Sequence, residues 1–599
     1  MAALPLRLSD DEAALTEADR PVPAPLPAVR QLTVRALAVG LSIGAVLAAG
    51  NVYTGLKSGF IDGGALTAAL LSFTFFATFK RLTRLPFGPL ENNVAQTAAA
   101  SAAVMSFVHG LTGPMPALML MGVNTPAWAL WTWGIALALI GVAIAAFLRR
   151  KLVVEDALPF PSGIATAELI TTVHADQGSA ARRTRFLLAA AVAAAVLTWF
   201  RDGTGMFIPQ ALYLPLTVGG MTAASLTLGI ASSPLMAATG MFIGLRSSLS
   251  LLGGGIVAWG IVAPIAVRSG WTTDAGYATI SAWLVWPALG MMLASTLVPF
   301  VLGWRAVGRV LARTARDVRN SLRRRVDTGR ATNPASTVLL GGATVLAASA
   351  ALAWTGWRAF GFSPYLTCAA LIVSVVLSGI CARAAGETDI APVGSFGTLT
   401  QFLFAAGGRG GSVLSGAIVA GNASEVAQSM WAFKAGHTLR ASVRAQIVAQ
   451  ILGAIVGSLV VVPAYFLIIR VYPLGSERMP AVSAISWKAT AVALSGGLAG
   501  LPSHGLHAFV VAFALGAVLS IFAPTRIGRF LPSAVTVGIA MITPVSLAAA
   551  AVLGAGSIVL ARRRISTLAD GETNALAAGL LAGEAILGVV IAARAAWGS

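Results

Sequence analysis

Apolar runs recur along this chain from about residue 33 to residue 597, and they constrain its fold more than any other feature. Many of them approach the length of about 20 residues that a helix needs to cross a lipid bilayer. Only 11% of the residues are charged, whereas a soluble protein carries about 25%. The sequence therefore predicts an all-α fold: a polytopic membrane protein in which the 599 residues make about 16 transmembrane helices.

Several runs are too short or too rich in glycine to cross a bilayer, so we expect broken or re-entrant helices. Non-helical backbone at membrane depth is tolerated only where protein or a water-filled cavity covers it. Discontinuous helical segments at corresponding places in the two halves of a chain are typical of secondary transporters. Three pairs of segments resemble each other and predict two related halves: 55–59 and 432–436, 158–165 and 531–540, and 240–244 and 579–583.

Two polar segments set the predicted domain boundaries. Residues 1–31 are acidic and then proline-rich, which predicts a disordered cytoplasmic tail. Residues 304–334 repeat arginine at near-helical spacing, which predicts a basic cytoplasmic connector. The first and second transmembrane halves are then residues 32–303 and 335–599.

The net charge of +19 is explained by a membrane rather than by nucleic acid. Many of the arginines cluster in short connections between apolar runs, as the positive-inside rule predicts for cytoplasmic loops. A nucleic-acid partner is therefore unnecessary, and membrane lipids are the expected surroundings. The placement of the arginines favours both termini on the cytoplasmic side.

A polar segment closes the first apolar run and opens the second without a loop between them. It contains Asn51, Tyr53 and Lys57 between glycines. A lysine in the hydrocarbon region costs at least ~2.5 kcal/mol, so it normally faces the protein interior or water. The alternative is a lysine at a helix end that reaches the interface. We predict that these three residues bind substrate.

Residues 386–401 form a second polar interruption, with Glu387, Asp389 and Gln401 among glycines and a proline. A carboxyl group shielded from water inside the membrane can carry a proton, so Glu387 and Asp389 are predicted to couple transport to protons. Gln401 is predicted to bind substrate. The alternative is a polar loop at the membrane surface.

The third polar stretch contains Asn422, Glu425 and Gln428, and Lys434 follows. Glu425 and Gln428 are three residues apart and share a helix face. We predict Glu425 as a proton carrier and the other three residues as substrate ligands.

Four further residues complete the candidates. Gln96 lies inside an apolar span and is predicted to bind substrate, and Glu168 interrupts an apolar run and is predicted to carry protons. Arg246 and Glu584 follow the matching glycine pairs, and we predict that they form a gating or structural ion pair.

No pattern in the chain indicates an enzyme. A phosphate-binding Walker loop is missing, and His504 and His507 lack the carboxylate motif of a zinc site. Cys368 and Cys381 fit neither a disulfide framework nor a metal site. We therefore predict no catalytic residue, no bound metal and no cofactor.

At its polar and glycine-rich stretches the chain resembles the oligopeptide transporter (OPT) family, which includes the yellow-stripe-like branch. The resemblance implies about sixteen helices and proton-driven import of peptides or peptide-like metal chelates. Short loops, a short tail and a high content of alanine and arginine suggest a bacterial source. Nine stretches carry the resemblance, in family order: 51–60, 91–102, 158–170, 240–259, 283–287, 386–401, 428–450, 531–540 and 578–584.

We therefore predict a proton-coupled importer of peptides or metal chelates, which spans a bacterial inner membrane many times. Whether it forms a homo-oligomer stays open. A channel that needs no proton gradient is one alternative. An integral-membrane enzyme acting on lipid-linked substrates is another.

Overall fold

A computed structural model describes residues 31–59, 63–78, 87–203, 207–302, 335–496, 502–564 and 570–597. Nearly all of the predicted tail and connector lies outside these residues. The described chain is predominantly helical, as the apolar runs predict, and its few strands are two or three residues long.

The helices before the connector follow the apolar runs of the sequence. Their bounds are α1 Val34–Ser58, α2 Ala65–Thr78, α3 Pro89–Ala103, α4 Met105–Val108, α5 Pro114–Leu120, α6 Ala127–Arg149, α7 Pro161–Ala175, α8 Gln177–Asp202, α9 Pro234–Gly255, α10 Ala263–Arg268 and α11 Tyr277–Leu302. Two π-helical segments, Arg150–Glu155 and Ile256–Val262, extend α6 and join α9 to α10.

The helices after the connector include several short ones. Their bounds are α12 Ala335–Phe360, α13 Pro364–Thr388, α14 Val393–Leu403, α15 Gly408–Thr438, α16 Val443–Val471, α17 Val482–Gly496, α18 Gly505–Phe522, α19 Ala534–Ile542, α20 Val545–Arg564 and α21 Asp570–Trp597. Two 3₁₀ turns, Ala405–Gly407 and Ile527–Arg529, connect neighbouring helices.

Four short strands lie between α8 and α9. β1 (Ala211–Tyr213) pairs antiparallel with β4 (Gly229–Ala231), and β2 (Thr217–Val218) pairs antiparallel with β3 (Met221–Thr222). The β1–β4 register places Leu212 opposite Ile230. This small structure brings the chain from the end of α8 to the start of α9.

Within the described residues, ten helical spans are long and apolar enough to cross a membrane, and a bent pair makes up to eleven. The bent pair is α14 and α15, which meet at 71°. Other helices, such as α2 with 14 residues and α19 with 9, are too short to cross alone. Broken helices are therefore present, whereas the number of sixteen crossings and the two related halves stay predictions.

Helices α1, α3 and α16 pack closely because small residues line their contacts. A Cβ atom at Gly40 of α1 would lie 2.4 Å from the carbonyl oxygen of Ala95 on α3, and one at Gly453 of α16 would lie 2.2 Å from that of Ala98. Close approach at small residues is the common way for helices to associate in membranes. As a result, α3 is enclosed, and every residue from Glu91 to Ala103 is buried.

Helix α15 is the second enclosed element. It packs against α6, α13 and α14 as well as α3. Nearly all of its residues from Gly411 to Gly436 are buried. Polar side chains on α3 and α15 therefore point into protein rather than into lipid.

Candidate functional site

Among the buried polar side chains of the described residues, two groups include predicted site residues. The first, here called the ion-pair cluster, contains Tyr53, Lys57, Arg201, Asp202 and Glu584. The second, here called the amide layer, lies on α3, α15 and α16. Its members are Asn92, Asn93, Gln96, Asn422, Glu425, Gln428, Gln446 and Gln450.

The ion-pair cluster is centred on the carboxylate of Glu584, which is completely buried on α21. Lys57 Nζ lies 2.8 Å from Glu584 Oε1, and Arg201 Nη2 lies 3.1 Å from the same oxygen. The Arg201 guanidinium also binds its neighbour Asp202 at 2.5 Å. The cluster thus has two cations and two carboxylates, and its formal charges balance.

The first turn of α9 supplies the remaining donors to Glu584. Ser233 Oγ donates to both carboxylate oxygens at 3.0 and 3.1 Å, and the backbone N–H of Leu235 donates at 2.9 Å. The start of a helix carries partial positive charge and unpaired N–H groups, which favour an anion there. Glu584 therefore joins α21 to α1, α8 and α9.

The predicted pair between Arg246 and Glu584 is wrong. Arg246 is exposed, and its Nη2 donates to the carbonyl oxygens of Gly528 at 2.5 Å and Leu531 at 3.1 Å. Gly244 explains the separation, because its φ of 80° breaks α9 two residues before Arg246 and turns the following residues away. Arg201 is the arginine that reaches Glu584.

Arg201 and Asp202 escaped the sequence analysis because they stand at the end of an apolar run. A charged pair at the end of an apolar run is typical of an exposed helix end. The available signal was Arg201 following an apolar run directly, together with the short irregular segment that leads to Pro234. In the structure Gln210 Nε2 donates to Asp202 and Arg201 Nη1 donates to the carbonyl oxygen of Ser232 at 2.6 Å, and no local pattern indicates these contacts from the residues that flank β1 and β4.

The predicted substrate ligands on α1 lie in the interior. Lys57 Nζ lies 3.1 Å from the hydroxyl oxygen of Tyr53, in addition to its contact with Glu584. Asn51 Nδ2 donates to the carbonyl oxygen of Ala103 on α3 at 2.9 Å. Lys57 is thus not at a lipid interface, and its ammonium group is held within the protein.

The amide layer is held by hydrogen bonds between neighbouring helices. Gln446 Nε2 donates to the carbonyl oxygen of Ala432 at 2.6 Å, and Gln450 Nε2 donates to that of Ser429 at 3.4 Å. On α3, Gln96 Nε2 donates to Asn93 Oδ1 at 3.1 Å. In these three glutamines the amide nitrogen donates a hydrogen bond, whereas the amide oxygen has no described partner.

Several buried amide atoms of the layer have no hydrogen-bond partner among the described residues. A buried polar atom without a partner costs about 1–3 kcal/mol, so such atoms are rare in proteins and usually have a role. Both donors and acceptors are involved, which suits a ligand that offers both kinds of group. The atoms are Asn92 Nδ2 and Oδ1, Asn93 Nδ2, Gln96 Oε1, Asn422 Oδ1, Gln446 Oε1 and Gln450 Oε1.

Glu425 is the acidic member of the amide layer and is completely buried. Its Oε1 accepts a hydrogen bond from Ser429 Oγ at 3.2 Å, whereas Oε2 has no partner among the described residues. No described cation pairs with it. The Cβ atom of Glu425 lies 2.6 Å from the position that a Cβ atom on Gly141 of α6 would take, so the two helices approach closely there. Gly141 lies well inside one of the ten candidate membrane spans, and Glu425 lies well inside the longer helix of the bent pair.

Two predicted ligands within the layer, Gln428 and Asn422, and one that borders it, Lys434, contact other helices or connections. Gln428 Oε1 lies 3.4 Å from the position that a Cβ atom on Gly63 would take, so it faces the break between α1 and α2. Lys434 is half-buried, and its Cβ lies 2.9 Å from the corresponding position of Gly163 at the start of α7. Asn422 Nδ2 donates to Ser374 Oγ on α13 at 2.6 Å.

Gln401 lies on α14, away from the hydrogen bonds of the amide layer. It is buried, and neither its Nε2 nor its Oε1 has a partner among the described residues. Helix α14 packs against α15 and α17. The structure therefore gives Gln401 an unsatisfied buried amide but does not bring it into contact with Glu425.

The other three predicted proton carriers lie near the surface. Glu168 is exposed on α7, and Glu387 is exposed and pairs with Arg383 one turn earlier at 3.3 Å. Asp389 accepts hydrogen bonds from Ser162 N at 3.0 Å and Ser162 Oγ at 2.6 Å. Asp389 thus binds the first turn of α7. For residues 386–389 the surface alternative agrees with this geometry.

The described side chains of the amide layer are all buried, and we call this the closed conformation. A separate cavity of about 40 Å³ lies between α5, α14, α15 and α17 and is lined by Thr112, Ser483 and Trp487. Such a volume holds a few water molecules at most, since one water needs roughly 10–15 Å³ of this measure. A peptide could contact the buried amides only after neighbouring groups move.

Comparison with known proteins shows the family to which this chain belongs. A family model described as OPT oligopeptide transporter protein matches residues 31–595. The chain belongs to the OPT family. A putative oligopeptide transporter of Saccharomyces cerevisiae is 25% identical over 94% of this chain and 96% of its own. A metal-nicotianamine transporter of Arabidopsis thaliana is 24% identical over 94% and 93%.

A putative oligopeptide transporter of Haemophilus influenzae is 30% identical over 36% of this chain and 32% of its own. The proteins of this family are transporters and not enzymes. The OPT protein described here is therefore a multi-pass membrane transporter, in agreement with its apolar helices.

Proposed function

We propose that this OPT protein is a proton-coupled symporter that imports oligopeptides or peptide-like metal chelates across a bacterial inner membrane. In this proposal Glu425 carries the proton, and the amide layer binds the substrate. The single observation that carries it is the environment of Glu425. Its buried carboxyl group has no cation partner among the described residues, and Asn422, one turn earlier on the same helix, has an amide oxygen that is also without a described partner.

Glu425 is the best of the four predicted proton carriers on physical grounds. An isolated carboxylate in a dry interior is costly, and binding a proton removes that cost. A residue that exchanges protons during transport must alternate between such a state and a hydrated one. Glu168 and Glu387 are exposed in this conformation, and Asp389 is engaged with Ser162, which gives each of them less to gain from protonation.

The amide layer supports a substrate that contains peptide groups. Each peptide group offers one N–H donor and one C=O acceptor. The unpartnered atoms Asn92 Nδ2 and Gln450 Oε1 are examples of matching groups on the protein. The names of the relatives point to oligopeptides and to metal–nicotianamine complexes, and both classes of molecule contain amine and carboxylate groups that Gln428 and Lys434 would meet at the border of the layer.

We assign the ion-pair cluster to holding the closed conformation. Its Lys57 remains a candidate for the substrate carboxylate, but only in a conformation in which Glu584 has moved away. Breaking a buried pair is costly unless a new partner arrives, so a substrate carboxylate would have to compensate. The cluster is therefore a gating element in this proposal.

The test measures uptake into proteoliposomes with an imposed pH gradient. Labelled di- to pentapeptides and iron chelates are first screened for thermal stabilisation of the purified protein, and the best one is used. Glu425→Gln should abolish gradient-driven uptake but preserve exchange of substrate across the membrane. Glu387→Gln is the matched control, since Glu387 is exposed, and it should keep normal uptake.

Normal pH-driven uptake by Glu425→Gln would show that the proton carrier lies elsewhere. Uptake by the unaltered protein that ignores the pH gradient would instead favour the channel. Loss of both uptake and exchange in Glu425→Gln would assign Glu425 to substrate binding or folding rather than to coupling.

A further inference from the structure

Six arginines gather where three membrane-spanning helices begin or end. Helix α8 carries Arg182, Arg183 and Arg185 in its first turns, and α20 ends in Arg562, Arg563 and Arg564. Helix α21 begins beside them, and all three helices have segments apolar enough to span a membrane. The arginines therefore lie at one membrane–water interface.

Three of these arginines converge on the first turns of α21. Arg182 Nε lies 2.9 Å from Glu572 Oε1, and Arg562 Nη2 donates weakly to Thr573 Oγ1 at 3.4 Å. The Arg183 guanidinium carbon lies 2.7 Å from the position of a Cβ atom on Gly571. These contacts hold the ends of α8 and α20 together around α21.

The other three arginines point outward. Arg185, Arg563 and Arg564 are exposed, and none of them forms an ion pair with a described carboxylate. Arginine is the side chain best suited to a phosphate group, because its planar fork gives two parallel hydrogen bonds. This end of the molecule thus offers cationic donors at the level of lipid headgroups.

An exposed apolar stripe continues from Arg185 along the same face of α8. Leu188, Val192 and Val196 follow at helical spacing, and each is about half exposed or more. From Arg185 to Val196 the helix rises about 16 Å, close to half of the ~30 Å hydrocarbon layer. On α20, Leu560 and Leu553 continue from Arg564 in the same way.

We propose that Arg185 and Arg564 bind the phosphate groups of anionic phospholipids, whose acyl chains lie along the apolar stripes of α8 and α20. The positive charge of the arginines favours an anionic headgroup. The apolar stripe favours a lipid, which has an acyl chain, over free phosphate. Because α8 also carries Arg201, which binds Glu584, lipid bound along α8 would stabilise the closed conformation. The inference does not depend on the transported substrate.

The test uses the full-length protein in a neutral detergent and phosphatidylglycerol or phosphatidylcholine in mixed micelles. Native mass spectrometry counts retained lipids, and thermal unfolding measures the gain in melting temperature. The unaltered protein should retain phosphatidylglycerol in preference to phosphatidylcholine. The double variant Arg185→Gln, Arg564→Gln should bind it roughly 30-fold more weakly. Both substitutions are at exposed positions, so folding should be preserved.

Arg358→Gln is the matched control, because Arg358 is an exposed arginine at the end of α12, which packs against α6 and α13 instead. It should keep the preference of the unaltered protein. Equal retention of the two lipids by the unaltered protein would overturn the proposal, as would an unchanged preference in the double variant. A thermal gain from inorganic phosphate equal to that from phosphatidylglycerol would overturn the role of the apolar stripes.

Discussion

At the scale of single residues, burial decides which charged side chains matter. Glu584, Arg201 and Lys57 lie within one cluster and satisfy each other, whereas Arg246, Glu168 and Glu387 lie at the surface. All of these residues look alike in sequence, as charges in or beside apolar runs. Their cost and their effect differ because a buried charge without its partner is far less stable than an exposed one.

Removing one partner from the ion-pair cluster should destabilise the protein strongly. Arg201→Met leaves Glu584 and Asp202 buried beside Lys57 alone, so we expect a loss of about 3–5 kcal/mol in the free energy of unfolding. Arg246→Met is the control at an exposed site and should change it by less than about 1 kcal/mol. Denaturant or thermal unfolding in detergent measures both. Similar losses in the two variants would contradict the buried arrangement.

The Lys57–Glu584 pair should also show coupling in a double-mutant cycle. Lys57→Met and Glu584→Gln each leave the other residue without its main partner. The double variant should therefore lose less stability than the sum of the two single losses, by about 0.5–3 kcal/mol. Additive losses in the same unfolding assay would mean that the two side chains do not interact.

At the scale of the helices, glycines set how closely the elements approach. A Cβ atom at Gly240 of α9 would lie 1.8 Å from the carbonyl oxygen of Ala551 on α20, and one at Gly554 would lie 2.0 Å from that of Ala237. Each helix thus presents a glycine to the backbone of the other. Neither backbone can move aside without separating the pair.

Gly240→Ala should therefore weaken the contact between α9 and α20. Overpacking in a well-packed interior costs typically about 1–3 kcal/mol, and a backbone clash of this size belongs at the upper end. Gly253→Ala is a control on the same helix, because a Cβ atom there meets nothing within 4 Å, and alanine is the better helix former. Thermal unfolding and the yield of folded protein compare the two. Equal stability would contradict the close packing.

At the scale of the whole molecule, two enclosed helices carry a polar interior through a protein that is otherwise apolar. Gln428 on α15 is buried in this conformation, although a transport site must meet water on each side in turn. The closed state is therefore one of at least two that the chain must adopt. Movement of the elements joined by the ion-pair cluster is our expected route to the other.

Cysteine labelling should detect this movement. In a background in which Cys368 and Cys381 are alanine, Gln428→Cys should react slowly with a water-soluble maleimide at rest. It should react faster when substrate and a pH gradient drive transport, because the layer then opens to water. Glu387→Cys, at an exposed position, should react fast under all conditions. Fast labelling at position 428 at rest would indicate a permanently open pore.

Much of this protein could be predicted from its sequence. Long apolar runs have one stable solution in a bilayer, the helix, because every backbone polar group must be satisfied within the segment. The helical class, the broken helices and the family follow from that pattern and from the motifs around 51–60 and 428–450. The burial of Asn51, Lys57, Gln96, Asn422 and Glu425 follows from the same cost of polar groups in lipid.

Tertiary structure alone decided which of these residues meet. Glu584 binds Lys57, which is 527 positions away in the chain, and Arg201, and the break at Gly244 moves Arg246 out of reach. Likewise Asp389 binds α7 at the surface, whereas Glu425 is enclosed between α6 and its own neighbours. Hydrophobic pattern is a property of a single segment, but pairing depends on how several segments turn and pack, and no single segment encodes that.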